Sequence, residues 1–151
     1  MTDDRPVLDQ INLVVRDMNA MLDFYRTLGI EITPTEPPWD RHHRTLSTSA
    51  GIDFDLDSRE FATQWNEGWP ADQTGPVIGF RFATREGVDT TYTALVDAGY
   101  AGQQRPGDAF WGARFAVVVD PDGNSVGLMS PIDPARRSAP PESRDFEAPG
   151  G

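Results

Sequence analysis

The chain carries the same pattern of strand and helix twice, and this repeat limits its possible folds more than any other feature. Residues 7–29 predict a β-strand that runs into an amphipathic helix, with Asp17 as N-cap and Gly29 as C-terminal stop. Residues 77–99 repeat the pattern with Thr84 as N-cap and, after a short insertion, Gly99 as stop. A shift of 67 residues superposes the matching positions: Ile11 on Ile78, Leu13 on Phe80, Val15 on Phe82, Tyr25 on Tyr92 and Leu28 on Leu95.

Three short strands are predicted after each helix. The first set lies at 30–35, 44–49 and 52–57, and the second ends with WGARFAVVVD, the tight turn DPDGN and SVGLMS. A βαβββ unit used twice predicts one α+β domain built from two modules. We place module 1 at 7–58, a polar linker at 59–76 and module 2 at 77–132, between an N-terminal segment 1–6 and a flexible C-terminal tail 133–151.

Two segments at the ends of this doubled unit, LDQINLVVRDMNAMLDFYRTLGI and GARFAVVVDPDGNSVGLMSP, resemble the vicinal oxygen chelate superfamily. That superfamily contains glyoxalase I, extradiol dioxygenases, fosfomycin resistance enzymes and bleomycin-binding proteins. The resemblance covers about residues 7–132, and it concerns the fold, because neither segment is a catalytic motif. It implies that the two modules form a cup-shaped open barrel with the helices outside.

The resemblance, combined with strand alternation, implies which side chains face the inside of the cup. The polar face of the first strand, with Gln10, Asn12 and Val14, would face inward, while Ile11 and its alternating partners pack under the helix. The other inward rows are Asp53, Asp55 and Asp57, then Val77, Gly79 and Arg81, then Ser125, Gly127 and Met129.

Metal-dependent members of the superfamily hold a divalent metal at positions that fall here on Gln10, Asp55, Val77 and Gly127. An amide oxygen and a carboxylate are acceptable ligands for Mg, Mn or Ni, but valine and glycine offer no side-chain donor. We therefore predict no metal and no other cofactor, and a polar wall contact for Gln10. A solvated Gln10, or a metal held with help from His42 or His43, stays open as an alternative.

The amino-acid composition excludes or argues against several kinds of catalysis and partner. The chain has no Cys and no Lys, which excludes a thiolate nucleophile and a lysine Schiff base. The net charge of −11 argues against nucleic acid as a partner. No apolar run is long enough to cross a membrane and the N-terminus does not resemble a signal peptide, so we expect a cytoplasmic protein without a membrane partner.

Aromatic and acidic side chains suggest what kind of ligand the cup would take. Three of the four tryptophans stand beside Pro, Asp or Gly in predicted loops, where they could stack on a planar ligand, clamp a cation, or cover the core or a dimer interface. The acidic row at 53, 55 and 57 favours a cationic ligand unless it is simply solvated, with Arg81 and Arg114 as candidates to balance it. The predicted ligand-binding residues are Gln10, Asn12, Trp39, His42, Asp55, Trp65, Trp69, Arg81, Trp111 and Met129.

These features are most similar in character to the metal-free bleomycin-binding relatives, whose pockets lie between the subunits of a dimer. We therefore expect a metal-independent small-molecule binder that sequesters an antibiotic or similar compound, cationic and aromatic, as a homodimer with modules paired within or across chains. The alternative is a lyase, isomerase or dioxygenase of the glyoxalase type, with an atypical or absent metal site and Asp55 as a possible base. A third possibility is an interaction module whose cup is filled by its own side chains or tail.

Overall fold

Each module of the chain forms one strand, one helix and three further strands, as the repeat predicted. The computed structural model describes residues 5–48 and 51–141. Module 1 consists of β1 (Val7–Val15), α1 (Met18–Leu28), β2 (Glu31–Ile32), β3 (His43–Ser47) and β4 (Asp53–Ser58). Helix α2 (Arg59–Trp65) follows, and module 2 consists of β5 (Gly75–Arg81), α3 (Arg85–Asp97), β6 (Ala101–Asp108), β7 (Arg114–Val119) and β8 (Ser125–Met129).

All eight strands belong to one sheet, in the order β2-β3-β4-β1-β5-β8-β7-β6. The modules meet at its centre, where β1 and β5 pair antiparallel and Ile11 lies opposite Ile78. The parallel pairs β1–β4 and β5–β8 flank this centre. The edge strands β2 and β6 do not pair with each other, so the curled sheet stays open. The α+β cup is therefore confirmed, and its two modules pair within one chain.

The two faces of the sheet bury different sets of side chains, as the alternation predicted. Under α1, the outer face packs Val15, Leu46 and Leu56 against Met18 and Leu22. Under α3, it packs Ala116, Val118 and Leu128 against Phe82 and Val88. A third cluster on the inner face joins Val14 and Val77 to α2 and the residues after it: Phe61, Ala62, Trp65 and Trp69.

The predicted helix starts are also present. Asp17 accepts a hydrogen bond from the Ala20 N–H at 3.1 Å, and Thr84 accepts one from the Gly87 N–H at 3.0 Å. Gly29 closes α1 at φ 106°, a left-handed conformation that glycine adopts without strain. No helix in the described part of the chain is long and apolar enough to span a membrane.

The segments outside the two modules are more structured than their composition suggests. The stretch 59–76, which the sequence presents as a polar linker, contains α2, and Ser58 caps that helix by accepting from the Phe61 N–H at 3.0 Å. At the start of the tail, the Asp133 N–H donates to the Gly112 carbonyl at 2.9 Å and the Ser138 N–H donates to the Phe110 carbonyl at 3.0 Å. The rest of the tail, 142–151, and positions 1–4 of the N-terminal segment lie outside the described residues.

Candidate ligand-binding cavity

A cavity of about 420 Å³ lies inside the cup, and we call it the cup cavity. Its volume falls in the range of known small-molecule sites. The described tail contributes only Pro140 to its lining, so neither side chains nor the described tail fill the cup.

The lining of the cup cavity is polar on one side and apolar on the other. The polar side chains come from module 1: Asp9, Gln10, Asn12, His43, Asp53, Asp55 and Asp57. The strands of module 2 contribute no ionisable group: Val77, Gly79, Phe80, Phe115, Gly127 and Met129. Further aromatic rings complete the wall: Trp39, Phe61, Trp65, Phe110 and Trp111. A ligand that matches this cavity is flat and apolar over most of its surface, with one polar edge directed at module 1.

The three aspartates of β4 differ in how far their charges are already compensated. Asp57 is 1% exposed and accepts hydrogen bonds from Asn12 Nδ2 at 3.0 Å and His43 Nδ1 at 2.5 Å. Asp55 is 8% exposed and accepts from Gln10 Nε2 at 3.1 Å. Burial raises the pKa of the Asp55 carboxyl, although the positive charge of His43 opposes this shift. Asp53 is exposed at the cavity, and its carboxylate accepts no hydrogen bond and forms no ion pair with any described residue.

His43, and not the predicted His42, is the histidine of the cavity. The His42 ring is buried against Ser58, with its Nδ1 2.8 Å from the Ser58 hydroxyl, and it does not line the cup cavity. His43 lies opposite Asp57 in the β3–β4 register, and Asp57 holds its Nδ1. Its Nε2 has no partner among the described residues, and its side chain is 39% exposed. That nitrogen is therefore available to a ligand.

The charge state of His43 gives the fold a pH dependence that can be measured. Burial disfavours the charged imidazolium form of His43. This effect is outweighed by the hydrogen bond to Asp57 and by the negative charges of Asp57 and Asp55, which raise the pKa of His43 to about 9. This pKa exceeds the pKa of His43 in the unfolded chain. The stabilisation of the fold by the His43–Asp57 pair is therefore fully present below about pH 6.5 and is lost as the pH rises through about 9. Solvent screening of the half-exposed ring limits it to about 1–2 kcal/mol.

We expect denaturant unfolding of the wild type to show this loss of stability between neutral pH and about pH 10. His43→Gln removes the titrating group, so the corresponding pH-dependent part of the free energy of unfolding disappears in that variant. An NMR titration of the His43 ring would give its pKa directly. A pKa at or below the ordinary histidine value would contradict the pairing with Asp57.

Most of the other predicted binding residues reach the cup cavity, and two do not. Gln10, Asn12, Asp55, Trp39, Trp65, Trp111 and Met129 line it. Trp69 packs in the inner core cluster instead, and its indole N–H donates to the Gln73 carbonyl at 2.9 Å. Arg81, at the end of β5, lies outside the lining and pairs with Asp9 Oδ2 at 3.2 Å.

The two arginines named as candidates to balance the acidic row pair with other carboxylates, although the partner of Arg81, Asp9, itself lines the cup cavity. Arg81 binds Asp9, and Arg114 binds Asp89 and Asp108. The counter-charge inside the cavity is His43.

Sequence reasoning also missed Phe61, Phe110 and Phe115 as wall residues. Phe110 could have been suspected only from its neighbour Trp111, because it lies in the loop between β6 and β7, where no periodicity applies.

The donor set of the cavity does not fit a divalent metal. The four positions that the superfamily resemblance implied all line the cup cavity, but Val77 and Gly127 bring no donor atom. The other two are bonded to each other, because the Gln10 amide directs its N–H at the Asp55 carboxylate. Nowhere in residues 5–48 and 51–141 do three His, Asp or Glu side chains converge as a metal site would require.

Comparison with known proteins places the chain among cup-shaped folds of this kind. The family described as Glyoxalase/Bleomycin resistance protein/Dioxygenase superfamily matches residues 7–128. A superfamily member from Vibrio splendidus 12B01 is 15% identical with a TM-score of 0.53, over 84% of this chain and 100% of that one. None of the curated proteins matches the chain.

Two enzymes are among the similar solved structures. The Mn(II)-bound glyoxalase from Novosphingobium aromaticivorans is 18% identical with a TM-score of 0.56, and the match covers 82% of this chain and 38% of that one. The methylmalonyl-CoA epimerase from Mycobacterium tuberculosis is 15% identical with a TM-score of 0.50, over 83% of this chain and 88% of that one. At these identities the similarity establishes the fold and not the activity.

Proposed function

The chain belongs to the glyoxalase/bleomycin resistance protein/dioxygenase superfamily, and we propose that within it the chain is a metal-independent binder of a small aromatic cation. One observation carries the proposal. Asp53 presents an unpaired carboxylate to an aromatic-walled cavity in which His43, already paired with Asp57, is the one positive group among the described lining residues.

The physical argument is one of charge and shape together. An N–H donor of a cationic ligand forms a charge-assisted hydrogen bond with the exposed Asp53 carboxylate, and the apolar walls beside it reduce the screening of this attraction by water. The aromatic rings of the cavity would bind the same ligand through two interactions: dispersion with its flat rings and cation–π attraction to its charge. Gly79 and Gly127 of module 2 also line this cavity and bring no side chain of their own to it.

Sequestration of a small, cationic and aromatic antibiotic is the biological form of binding that we propose. Sequestration requires affinity and exclusion from solvent, and it requires no reacting group. The cup is complete within one chain, so we propose one ligand per chain, with a homodimer that presents two independent cups.

The proposal is tested by titrating chelator-treated protein with 9-aminoacridine, a compact planar cation, while tryptophan fluorescence is followed. Because Trp39, Trp65 and Trp111 line the cavity, we expect saturable quenching with one ligand per chain. The dissociation constant should be the same in chelator and in added Mn²⁺. Quenching that never saturates, or that appears only with metal, would overturn the proposal.

A metal-free enzyme that moves a proton is the second candidate, and the arrangement of His43, Asp57 and Asp55 favours it. Asp57 orients the His43 ring, whose free nitrogen could donate to a carbonyl oxygen while Asp55 accepts the proton from the adjacent carbon. The test is deuterium exchange from solvent into that carbon of an aromatic ketone such as phenylacetone. Asp55→Asn should then abolish exchange and spare binding, whereas a pure binder shows no exchange in either protein.

A further inference from the structure

A second cavity of about 380 Å³ lies next to the cup cavity. Four aromatic residues line both: Trp65, Phe110, Trp111 and Phe115. These rings therefore form a shared wall with space on both sides. Together the two cavities approach the upper end of the volumes that single drug-sized ligands occupy.

Half of the shared wall comes from a loop that the start of the tail holds in place. Phe110 and Trp111 lie between β6 and β7, and two backbone hydrogen bonds tie this loop to the tail at Asp133 and Ser138. Beyond these bonds, Pro140 lines the cup cavity, while Ala139 and Pro141 line the second cavity. The tail thus runs along the junction of the two cavities, held to the loop by these two backbone hydrogen bonds.

The second cavity is polar but carries no uncompensated charge. Its one ionisable lining residue, Asp108, forms ion pairs with Arg85 and with Arg114. Gln104, another lining residue, accepts from the Glu67 N–H at 2.7 Å and donates to the Arg105 carbonyl at 3.0 Å. A neutral polar chain matches this lining better than a second cation would.

One buried donor in the shared wall lacks a partner. The indole N–H of Trp65 makes no hydrogen bond among the described residues, although the residue is only 8% exposed. The N–H groups of Trp69 and Trp111, by contrast, donate to the Gln73 carbonyl and to Met129 Sδ. A buried unpaired donor is costly, and an acceptor that enters as the wall opens would remove that cost.

We propose that the two cavities form one bipartite site for an elongated ligand. Its aromatic cationic head occupies the cup cavity and its neutral polar chain occupies the second cavity. A hydrogen-bond acceptor between the two parts, such as an amide carbonyl, takes the Trp65 N–H. This inference rests on the proposed function, since the head is the same ligand that Asp53 anchors.

The test compares two probes by calorimetry on the full chain: 9-aminoacridine, and the same head carrying an N-(2-hydroxyethyl)carboxamide at ring carbon 4. We expect the extended probe to bind about tenfold tighter. Gly107→Leu fills the second cavity, because Gly107 lines it and a Cβ there meets only the Arg105 carbonyl oxygen, at 3.9 Å. This variant should lose the tenfold gain and bind the compact probe as the wild type does.

Trp65→Phe supplies a second variant and a spectroscopic readout. It keeps an aromatic ring and removes the N–H, so the affinity ratio of the two probes should fall towards one. In the wild type, the Trp65 indole proton, assigned from this variant, should shift with the extended probe and not with the compact one. Equal affinities of the two probes for the wild type, or a tenfold gain that persists in both variants, would overturn the bipartite site. Neither result would contradict binding of the aromatic cationic head in the cup cavity. Failure of the compact probe to bind would overturn both.

Discussion

Asp53→Asn is expected to weaken the binding of 9-aminoacridine by about 5- to 10-fold. The substitution keeps the size of the side chain and removes its charge, so a charge-assisted hydrogen bond worth about 1.5–3 kcal/mol becomes an ordinary one. Asp53 carries this effect because it is the member of the acidic row that no described residue neutralises. Asp57 and Asp55 already accept hydrogen bonds from His43, Asn12 and Gln10.

Asp23→Asn is the matched control for the Asp53 experiment. Asp23 lies on α1, its side chain is 80% exposed and it does not line the cup cavity. Both substitutions change the net charge by one unit, so a long-range effect of the overall negative charge would appear in both variants. An equal loss of affinity in the two variants, measured by the same fluorescence titration, would therefore show that Asp53 is not the anchor.

Asp57→Ala is expected to lower the free energy of unfolding by about 3 kcal/mol. The carboxylate is buried and holds two donors, the His43 ring and the Asn12 amide. The variant loses the stabilisation from the pair with His43, about 1–2 kcal/mol, and it leaves the Asn12 amide without its acceptor, which adds about 1 kcal/mol or more. The same variant should bring the pKa of His43 down from its raised value, because the main source of that raised value is gone.

Asp53→Ala, in the same strand, supplies the control for stability. Its side chain makes no described hydrogen bond, so we expect a change within about 0.5 kcal/mol in urea unfolding. Comparable losses in the two alanine variants would mean that the acidic row contributes to stability through its summed charge. They would contradict the hydrogen-bonded network around Asp57.

Strand periodicity explains which parts of the site could be predicted from the sequence. Side chains alternate with a period of two, so once β1 and β4 were recognised, Gln10, Asn12 and Asp55 had to share one face. The repeat extended the same reasoning to Gly127 and Met129 in the second module. All five line the cup cavity.

The departures from the prediction lie where periodicity ends or where the strand pairing is irregular. The β1–β5 register shifts between Leu8 and Gln10, and near this shift Asp9 lines the cavity and Arg81 does not. His42 and His43 are adjacent at the start of β3, and only the pairing of His43 with Asp57 decides which of them faces the cavity. Helix α2 has seven residues, too few for a helical period to stand out, so the sequence presents Trp65 as part of a linker. The position of Phe110 depends on the tail, which is distant in sequence and hydrogen-bonds to its carbonyl.

The measurement that tests the central claim most directly is the ratio of two dissociation constants on chelator-treated protein. One is for 9-aminoacridine, which is cationic near neutral pH, and the other is for acridine, its largely uncharged parent of nearly the same shape. We predict that the cation binds at least about tenfold tighter in the wild type and that Asp53→Asn removes most of this preference. Equal affinities for the two compounds, or tighter binding of acridine, would contradict the account of the cup as a metal-independent site for an aromatic cation.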